Sequence, residues 1–181
     1  MSSIQISNHQ HQSKHLTLGL YIKGAFSFKY ISNLSIIVSI ISYYLNAYDV
    51  FFIIAPLVFV NLIIILILQI FEYDNLMLGL LGNEFPDKTN RDKQAPLFAF
   101  AMNIWHIVPV LWLFYIFKSH DVNIVKIFHP NFMGTFLKSS ILPLIYYYFE
   151  SNLRVYGDVN YLAYLILYMG LLLATCIYLY Y

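Results

Sequence analysis

Apolar residues gather into five runs, at 30–45, 50–71, 96–117, 132–149 and 161–181, with short polar segments between them. At 1.5 Å per residue such runs match a hydrocarbon core about 30 Å thick. They predict an all-α fold, a polytopic transmembrane helical bundle of about five spans, with four as the alternative count. Residues 1–24 read as a polar disordered tail with a pre-span segment, and residues 25–181 as a single transmembrane helical domain. The turn at 46–49 is too short for anything but an antiparallel hairpin of spans one and two. The apolar, glycine-punctuated stretch 76–82 is too short to span and reads as interfacial, and a near-neutral loop follows it.

Polar positions inside the runs refine this picture. Ser32, Ser35, Ser39 and Ser42 are spaced three, four, three, which puts four small hydroxyls on one helix face and predicts a packing seam. Ala163, Gly170 and Ala174 predict a second seam on the last helix. Pro56, Pro109 and Pro143 each remove a backbone donor and loosen a turn. Residues 96–117 carry Asn103 and His106 without any formal charge, and His106 is the single histidine inside a run. Counting depth from the start of each run puts Ser39, Asn61, His106, Lys138 and Ser139 near the bilayer midplane. With Asn103, one helical turn from His106, they form a candidate midplane polar layer. For each, the bland alternative is a hydrogen bond to a neighbouring helix or, for Lys138, snorkelling toward the surface.

Composition agrees with the pattern. The 181 residues are 60% hydrophobic and 10% charged, and the mean hydropathy is +0.67, where a soluble domain carries about a quarter charged residues. A net charge of +1 and the absence of a basic stripe exclude a nucleic-acid partner. Basic residues nevertheless divide unevenly among the segments between runs. Lys14, Lys23, Lys29, Lys88, Arg91, Lys93 and Arg154 fall on one side, and only Lys118 and Lys126 on the other. The positive-inside bias then puts the N terminus on the cytosolic or matrix-equivalent side. Tyrosines at run ends, such as Tyr43, Tyr44 and Tyr146 to Tyr148, read as interfacial belts. Preference for Ile, Asn, Tyr, Phe and Lys over Arg suggests an AT-rich genome, such as an organelle, protist, parasite or large virus. The membrane itself is not specified.

Little in the sequence points to catalysis. Cys176 has no cysteine to pair with, and one intramembrane histidine cannot ligate haem from both sides or build a di-iron centre. No phosphate loop, GxSxG or HExxH occurs. His120, Asp121 and His129 share a short segment, and His9, His11 and His15 share the tail, but neither set has ligand spacing on a regular element. The expectation is therefore no catalytic residues, no metal and no cofactor. The expected partners are the lipid bilayer and other membrane subunits or further copies of the chain. The reading is a non-catalytic structural or accessory component of a membrane assembly. The alternative is a small channel or transporter with His106 as gate, and a lipid-modifying enzyme with His106 as base ranks third.

Overall fold

A computed structural model describes residues 16–119 and 131–181, and those residues form seven helices and no strand. They are α1 (Leu18–Ala25), α2 (Ile31–Tyr44), α3 (Tyr48–Phe71), α4 (Tyr73–Leu81), α5 (Lys88–Ser119), α6 (Phe132–Leu153) and α7 (Tyr161–Tyr180). Three of them, α3, α5 and α7, are long and apolar enough to cross a membrane. Of the other two predicted spans, α2 has 14 residues, about 21 Å of helix, which is short of a 30 Å core. The 22-residue α6 has the length, but Lys138, its hydroxyls and three consecutive tyrosines dilute its apolarity.

The axis of the bundle is α3, which packs against α2, α4, α5, α6 and α7. Its sequence explains this position: YDVFFIIAPLVFVNLIIILILQIF is apolar on every face, as a helix enclosed by others must be. One core cluster joins Leu57, Val60 and Ile64 of α3 to Leu76 and Met77 of α4 and Tyr168 and Leu172 of α7. A second joins Phe51, Ala55 and Val58 to Ile36, Val110 and Leu113 toward the other end. There Tyr43, Phe51 and Trp112 meet edge to face, with ring centroids 5.4 Å apart for Tyr43–Trp112 and 6.1 Å for Phe51–Trp112.

Several boundaries depart from the hydrophobic pattern. The helix α1, Leu18–Ala25, takes in residues 18–24 of the predicted tail and pre-span segment and the first residue of the predicted membrane domain. Residues 88–95 are the first turns of α5, not loop, and the Asp87 carboxylate accepts from the Asn90 N–H at 2.9 Å. That bond satisfies an otherwise orphaned donor. The stretch around 76–82, expected at the interface, forms most of α4, whose Leu76, Met77 and Leu81 are buried.

The largest departure is the segment after α6, which reads as polar loop. The helix runs on through Glu150 to Leu153 and stops at Arg154 in the left-handed conformation, φ 47°, with the Val155 N–H on the Glu150 carbonyl at 3.1 Å. Val155, Tyr156 and Val159 then turn inward. They lie against α4 so closely that a Cβ on Gly79 would fall 2.2 Å from the Gly157 nitrogen. Gly157, at φ +73°, would in turn place its own Cβ 2.3 Å from the Asn75 carbonyl oxygen. Thus α1, α4, the start of α5 and residues 154–159 gather at one end of the bundle.

Candidate functional site

Three of the polar contacts that tie α3 to neighbouring helices lie about 12 Å apart along its axis, at Ile53, Asn61 and Gln69. At Ile53, one residue past the carbonyl that Pro56 leaves without its helical donor, the Ser139 hydroxyl donates to the main-chain oxygen at 2.6 Å. At the centre, Asn61 donates to Ser35 Oγ and accepts from the Tyr168 hydroxyl, both at 2.6 Å. The Ser35 hydroxyl in turn donates to the Ser32 carbonyl at 2.9 Å. At the third level Gln69 and Asn103 exchange amide bonds of 2.7 and 3.1 Å. Asn61 and the serines are buried; Gln69 and Asn103 are partly so.

The six candidate layer residues are therefore not one constellation. Ser39 bonds within its own helix, to the Ser35 and Ile36 carbonyls at 2.6 and 3.1 Å. Lys138 is exposed and points away from the face of α6 that buries Ser139, because adjacent helical residues are about 100° apart. Depth also changes. Asn103 is level with Gln69, near the Phe71 end of α3, so His106 lies only about 5 Å deeper than that pair. Because α5 begins before the apolar run and overhangs the Phe71 end of α3, a count from the start of that run and the pairing with α3 give His106 different depths.

All four stripe serines, Ser32, Ser35, Ser39 and Ser42, are buried on α2. Ala163, Gly170 and Ala174 are exposed on α7, and nothing lies within 4 Å of a Cβ built on Gly170. The inward face of α7 instead carries Tyr164, Tyr168, Leu172, Cys176 and Tyr180. Tyrosine wins that face because its hydroxyl finds partners inside: Asn61 for Tyr168, Thr135 for Tyr180 and Glu150 for Tyr164.

His106 is 3% exposed. Its Nδ1 lies 2.7 Å from the Met102 carbonyl oxygen, one turn back on α5. A carbonyl only accepts, so Nδ1 carries the proton and the neutral ring presents a bare Nε2. That nitrogen is buried without a hydrogen-bond partner, and so is the hydroxyl of Tyr21 on α1. Both residues line one cavity of about 640 Å³ between α1 and α5, floored by Ile65, Leu81 and Tyr156. Compared with protein-family models, curated proteins and solved structures, the chain matches none.

The wall formed by α1 is held mainly at its ends. The Leu16 N–H donates to the Gln94 side chain at 3.3 Å, and Phe26 packs on Trp105 with centroids 6.2 Å apart. Between them Tyr21 stacks on Phe98 at 5.8 Å. The start of α2 is tied to the same helix, since Asn33 donates to the Gly24 and Ser27 carbonyls at 2.7 and 3.0 Å and accepts from the Trp105 indole at 2.9 Å. At the mouth, Lys23 of α1 faces Glu84 at 3.8 Å, an exposed pair whose main effect is to mark where water begins.

The sequence pattern gave no sign of Glu150, which is fully buried. One carboxylate oxygen accepts from the Ile31 N–H and the Tyr156 hydroxyl, both at 3.2 Å, and the other accepts from the Tyr164 hydroxyl at 3.3 Å. This clamp joins the start of α2, the end of α6 and the start of α7. Its one local signal is a glutamate beside a tyrosine-rich segment, and its partners are distant in sequence. The histidine sets at His9, His11, His15 and at His120, Asp121, His129 lie outside the described residues. Among the described residues no three metal-ligating side chains cluster.

Proposed function

We propose that this membrane protein is a five-span, non-catalytic structural or accessory component of a larger membrane assembly, with its N terminus on the cytosolic or matrix-equivalent side. The observation that carries this reading is the use of the intramembrane polar groups. Asn61, Ser35, Tyr168, Gln69, Asn103 and Ser139 are engaged in helix-to-helix bonds that hold the bundle together. Such bonds act as glue between transmembrane helices. The alternative channel or transporter needs these amides free to line a path, and Lys138 within it, whereas Lys138 is exposed.

The outward face of α7, with Ala163, Gly170 and Ala174 unpacked, supports association with another membrane helix, since small residues let backbones approach closely. The test is mild crosslinking in the native membrane followed by sizing in gentle detergent. A species larger than the monomer, lost on Gly170→Leu, is expected. A stable monomer that captures no other chain overturns the reading. Single-cysteine accessibility at Lys88 and Lys118 checks the orientation, with labelling expected from opposite sides.

A further inference from the structure

The cavity between α1 and α5 combines two features that rarely coincide without a ligand. Its walls are mostly apolar, with Phe26, Ile65, Phe98 and Met102 among them. Yet two buried polar atoms of its lining residues, His106 Nε2 and the Tyr21 hydroxyl, have no partner. A buried polar group without a hydrogen bond is costly, so the site is incomplete as the chain alone builds it. Its volume, about 640 Å³, falls within the range of small-molecule sites. A water molecule would want two to four polar partners, which such walls do not concentrate at one point.

We propose that this cavity binds a membrane-partitioning alcohol, an apolar body with one hydroxyl that donates to His106 Nε2. The tautomer selects the ligand class. With the Nδ1 proton directed to the Met102 carbonyl, Nε2 of the neutral ring accepts and cannot donate. Esters, ketones, ethers and ionised carboxylates offer only acceptors and leave the nitrogen unsatisfied. A hydroxyl satisfies it, and the Tyr21 hydroxyl on the facing wall provides a second polar anchor that can donate or accept. The depth suits an amphiphile too, because the Gln69–Asn103 pair lies two residues from the end of α3 and His106 only about 5 Å deeper than that pair, within reach of an alcohol that enters by that end. Leu18, Ile22 and Phe26, exposed apolar side chains of the cavity's own lining, form an apolar rim past which such a ligand would enter.

The test uses the full chain in phosphatidylcholine nanodiscs, a photoreactive long-chain alcohol as label, and two competitor pairs. Hexadecanol is compared with hexadecyl methyl ether, and cholesterol with its methyl ether, so that a chain and a ring system are both examined. Label is expected on the peptides of α1 and on residues 97–106. At least one alcohol should displace it at roughly three- to tenfold lower concentration than its ether, the margin that one buried hydrogen bond provides. In His106→Leu that margin falls to about one, and Ala101→Phe, which fills the cavity, removes the label. Equal potency of alcohol and ether in the wild type, or label spread over all lipid-facing helices, overturns the proposal. If either variant fails to fold, the wild-type comparison alone decides. The site stands or falls independently of the crosslinking result for the proposed assembly.

Discussion

Asn61 and His106 are both polar side chains buried within an apolar bundle, and they meet opposite fates. Asn61 lies at the middle of the axial helix, where α2 and α7 each bring a hydroxyl to it, and both its polar atoms are bonded at 2.6 Å. His106 lies on α5 beside the short helix α1, and only one of its two ring nitrogens has a partner. Sequence alone presents them alike, as single polar residues in apolar runs. The difference comes from their neighbours. Three helices, α2, α3 and α7, converge on Asn61 and close around it, while α1, held mainly at its ends, leaves a cavity in front of His106. A buried polar residue is glue where its atoms are all paired, and a receptor where one is left over.

The strongest way to break the closed side is to remove Glu150. Glu150→Ala strands the Ile31 N–H and the hydroxyls of Tyr156 and Tyr164, all buried, at a cost of about 3–5 kcal/mol. Thermal unfolding in mild detergent should then show a melting temperature lower by about 10 °C. Glu150→Gln keeps an oxygen for the Ile31 N–H and Tyr156 and offers its amide to Tyr164, so less than half of that loss is expected. An unchanged melting temperature for Glu150→Ala would mean that the clamp contributes nothing to stability. Next in size is Gly79→Ala, which drives a methyl group into the backbone at Gly157. Overpacking between two backbones costs about 2–3 kcal/mol, measurable as a drop of roughly 6–9 °C on the same scale.

The contrast also marks what the sequence could and could not show. The helical class was legible from the length and apolarity of the runs, but the central position of α3 was not, because a run with no polar face suits lipid as well as an enclosed position. The three-four-three spacing of serines marked a helix face, and that face is buried. Glu150 was illegible because its three partners lie at residues 31, 156 and 164, and its own surroundings, ESNLRVYGD, look like solvent-exposed loop. The small-residue spacing on α7 was visible, but that face is exposed within the chain, because spacing marks a helix face and not what covers it. Apolar runs measured one at a time do not show how neighbouring helices are staggered along their axes. Only the pairing of Gln69 with Asn103 reveals the stagger between α3 and α5.

The last and smallest effects decide whether the comparison itself is sound. Asn61→Leu keeps volume and adds apolar contact, but it leaves the buried Tyr168 hydroxyl without its acceptor. Interhelical hydrogen bonds in membranes average below 1 kcal/mol, so a loss of about 1–2 kcal/mol is expected once the stranded hydroxyl is included. His106→Leu should do the reverse. It deletes a bond to a carbonyl on the same helix and removes a ring nitrogen that had no partner, so no group elsewhere is stranded. Its melting temperature in detergent free of added alcohol should match the wild type within about 2 °C, or exceed it, since replacing a buried unsatisfied group by an apolar one of similar shape is neutral to stabilising. Should His106→Leu instead unfold the protein as readily as Asn61→Leu, the imidazole would be part of the scaffold. The distinction between the paired centre and the open cavity would then fail.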